Sequence, residues 1–117
     1  MNENIKWLRE KLKSQDLQGM IVSNPINIKY LTGIESEGVL LITLKENIFI
    51  TDSRYTEAVN TVLTIEDEIL VNDKRHLSKE DYAGFFIFCE NVGFEEYFVT
   101  YAKYKQYRIW GKVCNIL

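Results

Sequence analysis

The sequence predicts an α/β fold in three layers, with helices on both faces of a mixed central sheet. Three observations lead there. Helical and strand patterns alternate along the chain, the signature of layered α/β architecture. Two apolar runs, 39–44 and 48–51, are separated by so few residues that they must form an antiparallel hairpin, because a parallel return needs a crossover of about a dozen residues or more. Hydrophobic residues make up 46% of 117 residues against 26% charged, enough for a folded core in one domain spanning 1–117. A chain of that size buries roughly two thirds of the surface it exposes when unfolded.

The elements follow in order. Ile5, Leu8 and Leu12 recur at spacings of three and four with Lys, Arg and Glu between them, which predicts an amphipathic helix over 3–15, punctuated by Gly19. Met20-Ile21-Val22 reads as a buried strand. Asn24-Pro25 is a helix start, Asn as N-cap and Pro at the first helical position, where its missing N–H costs nothing; Gly33 closes a helix over 25–31. Gly38 opens the strand 39–44, Lys45-Glu46-Asn47 is a polar connection, and Ile48-Phe49-Ile50-Thr51 is the third strand. Asp52 or Ser53 can cap a helix running to about Val62, and Glu68-Ile69-Leu70-Val71 reads as a fourth strand. Ser78 with Asp81 resembles a capping box opening a helix through about Cys89. Asn91-Val92-Gly93-Phe94 is a fifth strand, Thr100 caps a helix to about Ile109 that Gly111 ends, and Val113 to Leu117 forms a last strand.

Composition excludes several function classes. With 14 Lys+Arg against 17 Asp+Glu, a net −3, and no block of like charges, the sequence argues against a nucleic-acid binder, which needs a basic face, and leaves only a local basic pocket open. The longest apolar run, Val39-Leu40-Leu41-Ile42, is far short of the ~20 residues of a membrane span. The N-terminus lacks the basic start and apolar stretch of a signal peptide. Cys89 and Cys114 form no CxxC pair, so a cytoplasmic location with both thiols reduced is the expectation. A hydrolytic metal centre needs several converging His, Cys, Asp or Glu side chains and an open position for water. Here His76 is the only histidine, in the polar stretch 72–76, and reads as a solvated surface residue. There is no HExxH, GxSxG or GxxxxGK. The first two strands carry no carboxylates, which excludes a metal-dependent nuclease.

Two polar constellations remain: Asn24 to Gly33, and Thr51-Asp52-Ser53-Arg54-Tyr55. One reading makes both ordinary helix starts, with Asn24 and Asp52 as caps and the rings of Tyr30 and Tyr55 packed in the core. The other follows from the hairpin, whose geometry lays the acidic, glycine-bounded loop 33–38 beside 52–55. Glu35, Glu37, Asp52 and Arg54 then share one edge of the sheet, where ligands and partners of α/β proteins commonly dock. Such a loop is expected to be exposed and mobile.

The run Val22-Ser23-Asn24-Pro25-Ile26-Asn27-Ile28-Lys29-Tyr30-Leu31-Thr32-Gly33 resembles the "sNP-x-N-x-x-YLTG" segment of the creatinase/prolidase/aminopeptidase P family. The hairpin closing in Thr51-Asp52-Ser53-Arg54-Tyr55 resembles that family's "l-x-TD-x-RY" segment at the matching place, and Val92-Gly93-Phe94-Glu95 adds support further on. The resemblance implies the family's N-terminal domain, with ribonuclease H-like topology. It marks Asn24, Asn27, Tyr30 and Gly33 as motif residues, and Glu35, Glu37, Asp52, Arg54 and Tyr55 as candidates to meet substrate or partner.

In that family two Asp, one His and two Glu hold two metal ions (Mn, Co or Zn) in a separate pita-bread domain, which is absent from this chain. Relatives cleave Xaa-Pro bonds, whereas creatinase hydrolyses creatine without metal. The N-terminal domain makes much of the dimer contact, and in several members the loop matching 33–38 reaches toward the partner's active site and helps limit substrate size. The resemblance therefore implies a homodimer through this domain, a proline-containing peptide substrate only in the full-length enzyme, and no catalytic residue, metal site or cofactor in this chain. Arg54 would pair with a carboxylate of partner or substrate, or else form a surface ion pair. The alternative function is a stand-alone binding or assembly module of the same fold.

Overall fold

The structure, a computed structural model, describes residues 3–35, 37–51, 69–73, 79–95, 99–110 and 113–116. Helix α1 (Glu3–Ser14) leads into β1 (Gly19–Val22) and α2 (Pro25–Thr32). Then come β2 (Val39–Thr43), β3 (Asn47–Thr51), β4 (Ile69–Asp73), α3 (Lys79–Phe85), β5 (Val92–Phe94), α4 (Tyr101–Trp110) and β6 (Val113–Ile116). The six strands form one sheet in the order β4-β3-β2-β1-β5-β6. Strand β2 runs antiparallel to both β1 and β3, and the pairs β1–β5, β3–β4 and β5–β6 are parallel. The run β3-β2-β1-β5-β6 is the ribonuclease H-like order, with β4 added beside β3.

The two-residue period of the strands divides the core into two. On one face Met20, Val22, Leu40, Ile42 and Phe49 pack with Ile5, Leu8 and Leu12 of α1, Ile28 and Leu31 of α2, and Leu17 and Ile34. On the other, Ile21, Leu41, Ile50, Val92 and Phe94 pack with Tyr82 and Phe86 from the α3 region, Cys89, and Tyr107 of α4. Register keeps the faces separate. Met20 lies opposite Ile42 and Leu40 opposite Phe49 on the first face; Ile21 lies opposite Leu41 and Phe94 on the second. Each fully buried aliphatic or aromatic side chain contributes about 1.5–3 kcal/mol by leaving water. A one-residue slip of any central strand would exchange its two faces.

Several boundaries differ from the sequence reading, each with a local cause. Asp16, at φ 59°, makes the turn after α1, and Gly19 belongs to β1. Glycine is required there because a Cβ would lie 2.7 Å from Cε1 of Phe86. Helix α3 ends at Phe85, not near Cys89. The chain then turns, and Gln18 Oε1 accepts the N–H groups of Glu90 (3.1 Å) and Asn91 (2.7 Å). Cys89 is buried and in no disulfide, and its Sγ donates to the Gln18 carbonyl at 3.5 Å. Thr100 caps α4 as expected, its Oγ1 accepting from Lys103 N. The expected helix from 53 to 62, His76, Ser78 and Gly111 lie outside the described residues.

Asn47 is a buried strand residue rather than part of the polar connection. Its Oδ1 accepts from Nη2 of Arg9 at 2.8 Å, while Arg9 Nε donates to the Thr43 carbonyl at 2.9 Å. Arg9, one of the charged residues expected on the outer face of α1, is therefore buried and fastens that helix across the β2–β3 hairpin. Arg9→Ala should destabilise the chain by about 2–4 kcal/mol in urea unfolding, because the buried Asn47 amide oxygen and the half-buried Thr43 carbonyl lose their donor. Arg9→Lys should recover less than half of that, since one ammonium cannot reproduce the fork. A loss under ~0.5 kcal/mol for Arg9→Ala would contradict this placement.

Candidate functional site

Strands β1, β3, β4, β5 and β6 all finish at the same end of the sheet, where the antiparallel β2 begins. In open α/β sheets the crevice beyond the strand carboxyl ends is the usual place for function. Here it receives the Ser23–Asn24 turn, loop 33–38, Thr51 and Glu95.

Glu95 directly follows β5 and is buried, 6% exposed. Its Oε1 accepts the backbone N–H groups of Ser23 (2.5 Å) and Asn24 (2.9 Å), and its Oε2 accepts Nδ2 of Asn27 (2.5 Å). A carboxylate buried with three donors is compensated, and charge-assisted bonds of this kind are about twice as strong as neutral ones. It also sits at the positive end of the α2 macrodipole. Asn24 caps that helix, its Oδ1 accepting from Ile26 N at 3.0 Å. Behind the turn, Tyr107 is hydrogen-bonded to the Ser23 side chain. Burial pushes the Tyr107 hydroxyl above its ordinary value and the Glu95 charge adds to that; the Ser23 bond works the other way.

At its far end α2 closes on Gly33 in the left-handed conformation, φ 81°, whose N–H reaches the Lys29 carbonyl at 2.8 Å. Thr32 Oγ1 donates to the Ile28 carbonyl (2.7 Å) and accepts from Ile34 N (3.1 Å), and Ile34 is buried in the first core cluster. Glu35 and Glu37 are exposed. Glu35 pairs with Lys29 at 2.5 Å, and that hydrogen bond and charge hold its carboxyl below the usual range and the Lys29 ammonium above its own. The Glu37 carbonyl accepts from Thr51 Oγ1 at 2.6 Å. Glu35 and Glu37 are thus exposed as expected, while Ile34 and the Glu37 carbonyl anchor the backbone on either side. The Thr51–Glu37 bond puts the end of the loop against the end of β3, as the hairpin geometry required. Asp52, Arg54 and Tyr55 lie outside the described residues.

Tyr30 is not a core residue: it is 62% exposed, and its carbonyl accepts from Asn4 Nδ2 at 2.7 Å. On an eight-residue helix with Ile28, Leu31 and Thr32 facing inward, position 30 falls on the outer side. Glu95 is the residue the sequence reading did not single out as part of the site; Val92-Gly93-Phe94-Glu95 offered only similarity of pattern. An open groove of about 500 Å³, lined in part by Gln18, Leu44, Phe85, Phe88 and Cys89, lies at the opposite end of the sheet and includes none of the candidate residues.

The family model for the creatinase/prolidase N-terminal domain matches residues 4–113. The chain belongs to that family. No match was found among curated protein sequences. Among solved structures, an Xaa-Pro dipeptidase from Bacillus anthracis is similar, with TM-score 0.79 and 24% identity over 97% of this chain. This chain spans only 32% of that one. The N-terminal domain of a cytoplasmic peptidase from Mycobacterium tuberculosis matches with TM-score 0.84 and 22% identity, covering 98% of this chain and 93% of that one. An Xaa-Pro aminopeptidase from Streptococcus thermophilus matches with TM-score 0.81 and 22% identity, covering 97% and 89%. At such identities the likeness is one of fold. Within this creatinase/prolidase N-terminal domain, Asn24, Asn27 and Gly33 shape and hold α2, and Tyr30 is presented outward.

Two outcomes test the site. Asn24→Ala should cost about 1 kcal/mol, the usual value of a lost N-cap, and Glu95→Ala about 3 kcal/mol or more, because three donors lose one acceptor. Equal losses in denaturant titrations would contradict the clamp. For Tyr107, the folded state keeps its proton to higher pH than the unfolded chain. The stabilisation is therefore complete below about pH 10 and lost as pH rises through and above that value. Tyr107→Phe should flatten the fall in unfolding free energy above about pH 10; parallel curves for the two proteins would count against it.

Proposed function

We propose that this chain is the non-catalytic N-terminal domain of a cytoplasmic, metal-dependent Xaa-Pro dipeptidase or aminopeptidase, where it contributes to dimer contact and to the active-site rim. The observation that carries the reading is one of extent: the family model covers nearly the whole chain, yet the chain spans about a third of a similar dipeptidase. The catalytic ligands and the Mn, Co or Zn ions belong in the remaining part of such an enzyme. Among the described residues no three His, Cys, Asp or Glu side chains are grouped so that they could hold a metal ion. No described helix is long and apolar enough to cross a membrane.

The domain's contribution is then steric and electrostatic. Glu37, beside the Glu35–Lys29 pair, would present negative charge at the strand ends, and Glu35 could exchange Lys29 for the cationic amino end of a short peptide or basic groups of a second subunit. Arg54, with Asp52 and Tyr55 beside it, would take a carboxylate in the two-pronged geometry a guanidinium favours.

Purified chain assayed with Xaa-Pro dipeptides and Mn, Co or Zn should give no turnover above a metal-free blank. Metal-dependent cleavage by residues 1–117 alone would overturn the assignment of chemistry to another domain.

A further inference from the structure

We propose that Glu95 is the positioning residue for Gly33–Glu35, the start of the acidic segment that follows α2, acting through that helix as a rigid arm. This rests on the rim reading above and deepens it, because it names what sets where the rim is held.

The connection is continuous. The carboxylate fixes the start of α2 through Ser23 N, Asn24 N and Asn27 Nδ2. The helix is two turns long, capped by Asn24 at one end and Gly33 at the other, so its start and finish move together. Ile28 and Leu31 bury its inner face, and Thr32 Oγ1 bridges the last turn to Ile34. Lys29, on the same helix, holds Glu35 from outside. The far end of the segment has its own anchor, Thr51 Oγ1 on the Glu37 carbonyl. The influence of Glu95 should therefore be largest at Gly33 and Glu35 and fade toward Gly38.

The chemistry of the clamp supplies a direct test. Removing the carboxylate leaves two backbone N–H groups and one side-chain amide converging on a vacated space, at the N-terminus of a helix, an arrangement that takes a small carboxylate from solution. In NMR spectra of the Glu95→Ala chain, the amide resonances of Gly33 and Glu35 should shift away from their wild-type positions, more than that of Gly38. Sodium formate should return them, while sodium chloride at equal ionic strength should not. Resonances of 33–35 that stay at wild-type positions, or that chloride restores as well as formate, would overturn the proposal.

Should Glu95→Ala not fold, Asn27→Ala keeps both backbone bonds and loses only the side-chain donor. It should displace Gly33 and Glu35 in smaller measure, and their failure to move would likewise overturn the proposal. These readouts report loop position alone. In the full-length enzyme, a displaced loop with unchanged selectivity for substrate length would support the positioning role and refute the rim reading.

Discussion

The carboxylate of Glu95 gathers into one place three donors that would otherwise lie at a chain turn. The backbone at Ser23 and Asn24 is leaving β1 and has not yet entered α2, so its N–H groups belong to neither ladder nor helix. Buried donors without acceptors cost about 1–3 kcal/mol each. Glu95 satisfies both, and with the Asn27 amide it turns a weak point between two elements into a fixed joint. From that joint the direction of α2 follows, and from α2 the start of loop 33–38. The carboxylate also fills, from within the chain, the anion-attracting helix N-terminus at which many α/β proteins hold phosphate.

The rest of the fold is organised so that such a joint can persist. Five strands end together because only β2 runs against the others, and both faces of the sheet are covered, so the joint lies between two packed layers. At the other end of the sheet a second polar fastening balances it: Arg9 holds Thr43 and Asn47 across the β2–β3 turn. In both places a charged side chain reaches between elements and meets complementary groups, the condition under which a buried charge is tolerated. The open groove beside Phe88 lies at the Arg9 end, away from the family motif.

What could be read from the sequence divides along contact distance. Asn24 with Pro25 and Gly33 were legible as the two ends of α2, because a cap bonds to residues two to four positions away and carries a local residue preference. The hairpin was legible for the same reason, and with it the meeting of loop 33–38 and the end of β3. Glu95 was not, since its partners are 68 to 72 residues distant. Nor were Arg9 and Asn47, 38 residues apart, which local pattern assigned to a solvated helix face and a polar turn. Tyr30 was misplaced because a tyrosine suits a core or a surface equally well, and the phase of an eight-residue helix decided for the surface.

Within the creatinase/prolidase N-terminal domain to which the chain belongs, Asn24 and Asn27 serve the joint, and the joint serves the segment that follows α2. Native-state hydrogen exchange at the Ser23 and Asn24 amides is the most direct measurement of that central claim. If Glu95 holds them as described, both should exchange only through global opening, with protection equal to that of Ile21 and Leu41 in the sheet. Exchange at the rate of an open surface turn, with the sheet amides still protected, would contradict it.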